Sequence, residues 1–277
     1  MKHGHLAKMQ SKLSSPVHYH LPLGDQTIDL KPLIGQSLKL QHNEGLINCT
    51  ACGRKTKKSY SQGHCYPCMK RLARCDLCIV KPERCHYAQG SCREPQWGES
   101  FCLQDHIVYL ANSSGLKIGI TRQTQIPTRW IDQGASQALP IMRVTQRLHS
   151  GLVEVLFKEH IADKTDWRKM LKNERPEVNL IQRRDELLNL LAAPLQQLRD
   201  VLHDPITILD EAKLVDINYP VLEYPTKIKA HNFDKTPTVE GTLMGIKGQY
   251  LIFDTGVLNI RKFSGYHVTL SQSPTLL

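Results

Sequence analysis

The sequence predicts an α+β protein, and three observations carry that prediction. Its 277 residues are 40% hydrophobic, enough to bury packed cores rather than stay disordered. Short apolar runs separated by glycine turns occupy both ends of the chain, while helical periodicity appears in its middle. All nine cysteines fall between Cys49 and Cys102. That stretch lacks a periodic apolar pattern, so metal rather than a hydrophobic core must hold it.

The elements follow in order. Residues 1–48 read as an N-terminal β segment, in which LPLGDQTIDLKPLIGQSLKLQ places turn signals at Gly24-Asp25 and Gly35 and predicts two or three strands. Residues 49–105 form the cysteine-rich module. Residues 106–175 read as a compact α/β unit, and 176–212 as a helical linker whose amphipathic helix at about 184–203 repeats Leu187, Leu188, Leu191, Leu195 and Leu198 at three- and four-residue steps. Residues 213–277 form a β module, with strands at 249–253, 257–261 and 267–270 divided by Asp254-Thr255-Gly256 and Ser264-Gly265. The N-terminal strands can complete this tail into a small barrel, which would unite the two ends of the chain and make the rest an insertion.

Charge narrows the partners. The formal net charge is +10, which favours polyanions, nucleic acid first. No signal-peptide pattern opens the sequence, and LLNLLAAPL at 187–195 is short and interrupted by Pro194, so no membrane partner is expected and a cytoplasmic protein is. Nothing in the sequence sets the oligomeric state. An odd number of cysteines in one stretch, with no export signal, points to thiolates on metal rather than to disulfides.

Cys49-x2-Cys52 and Cys65-x2-Cys68 are two pairs, each able to present both sulfurs from one tight turn to a tetrahedral ion. Gly53 supplies the close approach and positive φ such a turn needs. Four thiolates close the coordination sphere, which suits structural zinc better than an iron–sulfur cluster. A second cluster, Cys75, Cys78, Cys85, Cys92 and Cys102 with His106, offers ligands for one more zinc. The preferred set there is Cys75, Cys78, Cys85 and Cys92, with Cys102 and His106 as the alternative pair.

Residues 49–102 hold ten lysines or arginines against four acids, a net of +6. Arg54, Lys55, Lys57 and Lys58 lie between the first two cysteine pairs, beside Tyr60 and Tyr66, and this mixture of phosphate-pairing cations and stacking rings suits nucleic acid. Arg122 extends the basic surface, and residues 116–147 carry +4. His3, His5, His18 and His20 show no partner spacing beyond alternation and are expected to be mostly exposed. Lys158-Glu159-His160 reads as a helix face rather than a site. Gly241, Gly245 and Gly248 lead into no helix, which argues against a nucleotide cradle.

After the cysteines, Val108-Tyr109-Leu110 and Lys117-Ile118-Gly119-Ile120-Thr121, joined by Ala111-Asn112-Ser113-Ser114-Gly115, resemble the paired strands that name the GIY-YIG endonuclease superfamily. Arg129 follows in a helix begun by Pro127, then a strand at 141–147, then a helix containing Glu154, an order similar to the superfamily core. The whole chain, including GIKGQYLIFDTGVLNIRK, also resembles a bacterial family carried under a domain-of-unknown-function label.

What the superfamily resemblance implies attaches to positions. Tyr109 matches the tyrosine that helps take the proton from an attacking water, Arg129 the arginine that steadies the phosphate, and Glu154 the acid that holds a divalent ion, magnesium or manganese. Ile107 stands where the first motif has glycine, and Lys117 where the second has tyrosine. Lys117 would either favour the Tyr109 anion or contact phosphate directly. Two functions follow as expectations: a metal-dependent endonuclease using Tyr109, Lys117, Arg129 and Glu154, or a DNA- or RNA-binding protein that keeps the fold without the chemistry.

Overall fold

The computed structural model describes residues 1–272. From the N-terminus run β1 (Lys2–His5), β2 (Gln10–Lys12), β3 (His18–Leu23), β4 (Gln26–Asp29), β5 (Ser37–Ile47) and α1 (Tyr66–Arg71). Next come α2 (Pro95–Cys102), β6 (His106–Asn112), β7 (Leu116–Arg122), α3 (Thr128–Asp132), β8 (Gln137–Val144), α4 (Arg147–Lys158), α5 (Trp167–Leu171), α6 (Leu180–Leu190), α7 (Ala192–Leu202), β9 (Ile206–Ile208) and β10 (Val215–Asp216). The chain closes with β11 (Thr238–Lys247), β12 (Tyr250–Phe253), β13 (Gly256–Asn259) and β14 (Tyr266–Gln272). The mixed α+β class is the one the sequence predicts.

The chain divides into two compact units. The first takes Met1–Lys70, Leu171–Asn173 and the chain from Ile217 onward; the second takes Arg71–Met170 and Glu174–Asp216. The stretch 49–105, read from sequence as one module, is therefore cut near residue 70. Cys49, Cys52, Cys65 and Cys68 fall in the first unit and the other five cysteines in the second.

In the first unit the two ends of the chain share one antiparallel sheet of order β1-β14-β5-β11-β12-β13. This meets the expectation that the terminal segments join. Among the described residues β1 and β13 do not pair, so the sheet is open and not the closed barrel anticipated. The tail strands expected at 249–253, 257–261 and 267–270 are β12, β13 and β14. The strand β11 went unread because Gly241 and Gly245 weaken its pattern. Gly245 is there for room: a Cβ on it would stand 2.5 Å from the Val221 Cα. A smaller sheet, β2-β3-β4, turns between its last two strands through Gly24-Asp25, with Gly24 at φ +59°.

In the second unit β6 lies between β7 and β8, and all seven of its residues are buried, which explains why HIVYLAN reads as a nearly continuous apolar run. Pro140 cannot donate to the ladder, and it sits where the β6–β8 register shifts between Val108 and Tyr109. That strand runs 137–144 rather than 141–147, and Arg147 opens α4 instead. The helix expected at 184–203 is two, α6 and α7. Pro194 has no amide hydrogen for the carbonyl one turn back, so the first helix ends at Leu190 and a new one holds the proline in its first turn. The leucine stripe survives the break. Leu187, Leu191 and Leu195 join Val108, Leu110, Ile141, Val153 and Phe157 in one core, so the segment read as a linker is a packed layer.

Candidate functional site

The first four cysteines form a cluster that could hold a metal ion. After β5, Cys49 and Cys52 sit on a turn closed by the Gly53 amide donating to the Cys49 carbonyl at 2.8 Å, with Gly53 at φ +70°. Cys65 and Cys68 sit at the entry to α1, where the Met69 amide donates to the Cys65 carbonyl at 2.9 Å. All four sulfurs lie within 4.8 Å of one another, and Cys52 Sγ is 3.8 Å from Cys65 Sγ. A zinc ion with bonds of about 2.3 Å requires a tetrahedral sulfur–sulfur edge of about 3.8 Å. A disulfide, at about 2.05 Å, is excluded for that pair. Burial alone would push the Cys49 thiol up, but backbone donors at Cys65, Ala51 and Cys52 outweigh it and bring it down to about 6. The Cys68 thiol is pushed up to about 12, chiefly by its hydrogen bond with Cys52. This donor set can hold zinc.

The loop between the pairs carries the expected cations. Arg54, Lys55, Lys57 and Lys58 are all exposed. Tyr66 is 53% exposed, its ring 5.7 Å from that of Tyr60 in an edge-on pair, and Lys58 Nζ lies 5.4 Å from the Tyr60 ring centre. Arg122, expected in the same role, has its guanidinium stacked 3.7 Å over the Phe101 ring.

A polar cluster occupies the second unit. Tyr109 is wholly buried and donates its hydroxyl to Gln133 Oε1 at 2.7 Å. Burial pushes it up to about 12, while Arg129 acts against that shift through charge and a hydrogen bond. The expectation that Lys117 would favour its anion therefore fails, because loss of water around the ring outweighs nearby positive charge. Lys117 is 3% exposed and donates from Nζ to Thr165 Oγ1 at 3.1 Å. Burial, then the Arg129 charge, brings it down to about 8, with Glu154 and Asp163 opposing.

Glu154 is 8% exposed, and burial raises its carboxyl above the usual range against the pull of Lys158. Lys158 Nζ bridges Glu154 Oε2 at 3.1 Å and Asp163 Oδ2 at 3.2 Å, so this residue, read from sequence as part of a plain helix face, belongs to the cluster. Glu83 adds a further carboxylate that raises Glu154, and its Oε2 is buried with no hydrogen-bond partner. Tyr109, Lys117, Arg129 and Glu154 thus act on one another across β6, β7, α3 and α4. Glu83, Lys158 and Asp163 are the members that sequence reasoning missed, and only the i,i+4 spacing of Glu154 and Lys158 was visible beforehand.

The remaining cysteines are partly regrouped. Cys78, Cys85, Cys92 and Cys102 line one small enclosed cavity, whereas Cys75 and His106, both candidates from sequence, are not among its lining residues. His106 is wholly buried, its Nδ1 2.7 Å from the Gln104 carbonyl. Burial brings it down to about 4, as expected for an imidazole in the sheet interior.

The N-terminal histidines also depart from expectation. Only His3 among the four is exposed. His18 Nε2 lies 2.7 Å from Asp29 Oδ1, and His20 faces Asp29 across β3 and β4, so the three offer ligand atoms within 4.8 Å. The alternation His18-x-His20 was the available signal, since on a strand it places both rings on one face.

Fold and site together define a two-unit α+β protein with a four-cysteine cluster able to hold a metal ion. The chain belongs to the family described as Protein of unknown function (DUF2797), which it matches over residues 35–268. No curated protein and no solved structure matches it. Among the described residues no helix is long and apolar enough to cross a membrane.

Proposed function

We propose that this protein binds nucleic acid, DNA or RNA, through the loop held by its first cysteine centre. One observation carries the reading: four exposed cations lie on the loop between the Cys49/Cys52 and Cys65/Cys68 pairs, and the exposed Tyr66 ring at the start of α1 packs against Tyr60 of that loop. Cations pair with phosphates and release counterions, and a ring offers a stacking surface to any base. Zinc held by the four thiolates would order the loop before the partner arrives and so lower the entropic cost of binding. The test is fluorescence anisotropy with labelled single-stranded DNA, duplex DNA and RNA over a range of salt. Affinity that falls steeply with salt is expected. Affinity indifferent to salt removes the proposal.

A second reading, an endonuclease with a GIY-YIG-like core, is favoured by the gathering of Tyr109, Lys117, Arg129 and Glu154 into one cluster. Glu154, with Glu83 and Asp163 nearby, would hold magnesium or manganese, and Arg129 would meet the phosphate. Lys117, held near 8, has a fraction of free amine at neutral pH and suits the general base better than Tyr109 does. Binding is preferred over cleavage because Tyr109 is buried and protonated, and the Lys158 ammonium already neutralises Glu154. Incubating the same substrates with magnesium or manganese separates the two. Cleavage that disappears in Glu154→Ala selects the enzyme; cleavage that persists in that variant excludes this cluster as its source.

A further inference from the structure

The second set of cysteines forms a cavity that the nucleic-acid reading does not use. Its volume is about 10 Å³, room for a single atom-sized occupant. Cys78 enters it from the 3-10 turn Leu77–Ile79, Cys85 from the end of the turn Pro82–Arg84, and Cys92 from just beyond Gly90, which turns the chain at φ +70°. Cys102 comes from the last turn of α2. Gly98, one turn earlier on the same helix face, keeps that helix close: a Cβ there would lie 3.3 Å from Cys92 Sγ and 2.9 Å from Tyr87 Cδ2. Three of the four thiols sit at successive seven-residue steps, 78, 85 and 92, one from each irregular turn. A segment with almost no apolar core needs such a tie.

We infer that Cys78, Cys85, Cys92 and Cys102 bind a second structural zinc ion, and that this ion fastens residues 77–92 to the start of α4.

Asp76 and His86 also border the cavity, and Asp76, Cys78 and His86 bring ligand atoms within 4.8 Å of one another. Both Asp76 oxygens are already committed. Oδ1 accepts from the Leu77 amide at 2.5 Å, and Oδ2 is 2.6 Å from Arg93 Nε and 3.6 Å from His86 Nε2. The other His86 nitrogen, Nδ1, is 2.9 Å from Ser91 Oγ. These groups would brace the turns around the ion, while the softer thiolates would take the metal itself.

The connection to α4 is direct. Arg147, the first residue of that helix, donates from Nη2 to the Ile79 carbonyl at 2.6 Å and from Nε to the Cys78 carbonyl at 3.5 Å. Its cation would offset part of the negative charge that four thiolates leave on a divalent ion. At Gly151 the backbone of Pro82 and Glu83 approaches so closely that no side chain fits. The zinc would hold the 82–84 turn in that contact and thereby keep Glu83 beside Glu154. This inference does not depend on whether the protein binds nucleic acid or cleaves it.

The experiment is native mass spectrometry of the full chain, with cobalt(II) reconstitution of the same protein. Two zinc ions per chain are expected, falling to one in Cys85→Ser/Cys102→Ser and staying at two in Cys75→Ser and in His86→Ala. Cobalt should give two equivalents of intense tetrahedral thiolate absorption in the unmodified chain, a readout that does not require any variant to fold. A single zinc that is lost only when the first centre is mutated overturns the site. Loss of an ion in His86→Ala overturns the four-thiolate assignment.

Discussion

Gly119 lies directly opposite Tyr109 in the β6–β7 ladder, and a Cβ at 119 would stand 2.7 Å from the tyrosine hydroxyl oxygen. The phenol ring therefore crosses over the neighbouring strand in space that only glycine leaves open, and its hydroxyl reaches Gln133 on the far side. Gly119→Ala should force the ring out of that position and destabilise the second unit by about 1–3 kcal/mol. Chemical unfolding measures it. Pairing the change with Tyr109→Leu, which removes the colliding ring, should recover part of the loss, whereas simple additivity would show that the two positions are uncoupled.

The first metal centre gives a prediction about stability. Cys52→Ser removes one of four thiolates, and the three that remain hold zinc far more weakly. We expect metal analysis to show one zinc fewer per chain, and calorimetry to show a lower unfolding temperature, by roughly 10 °C for a loss of several kcal/mol in a unit of this size. An unchanged metal content would mean that Cys52 is not a ligand.

Much of this architecture was legible in the sequence, and the exceptions have physical causes. Cys49, Cys52, Cys65 and Cys68 were readable because each short spacing determines a local turn that presents two sulfurs, and two such turns twelve residues apart can offer four thiols to one ion. Glu83 and Asp163 were not readable. They reach Glu154 through the packing of a 3-10 turn and a loop against α4, and no periodicity records a contact of that kind. The second group of cysteines shows the same limit: spacing favoured Cys75, whereas the cavity is completed by Cys102 from the end of a helix. Pro194 was visible as an interruption of an apolar run, yet its effect on the long helix depended on where the core needed the leucine stripe.

The cationic loop predicts a salt dependence. Replacing Arg54, Lys55, Lys57 and Lys58 together by alanine should reduce the slope of log affinity against log salt by about 3, given roughly 0.7–0.9 per phosphate contact. Tyr66→Ala should behave differently, weakening binding by about 1–3 kcal/mol with the slope intact, because stacking releases no counterions. Anisotropy titrations at four or five salt concentrations read both. Equal slopes in the quadruple variant and the parent chain would place the binding surface elsewhere.

Lys117 yields a pH dependence of determined sign. Its ammonium is held at about 8 in the folded chain, against an ordinary lysine value near 10.5, because burial and the Arg129 charge penalise the protonated form. Between those values the unfolded chain binds more protons at this site than the folded one, so stability rises with pH across the window from about 8 to about 10.5. Below pH 8 the full penalty is present, roughly 3 kcal/mol for a side chain this deeply buried. Tyr109 acts in the opposite sense only above its ordinary value of 10, where the folded chain keeps a proton that the unfolded chain releases. Lys117→Met should therefore stabilise the protein at pH 7 and flatten the rise between pH 8 and 10. Urea unfolding at half-unit pH steps compares the two proteins. A rise that persists unchanged in the variant would assign it to other groups and leave Lys117 an ordinary charged lysine, unsuited to the base role in the second reading.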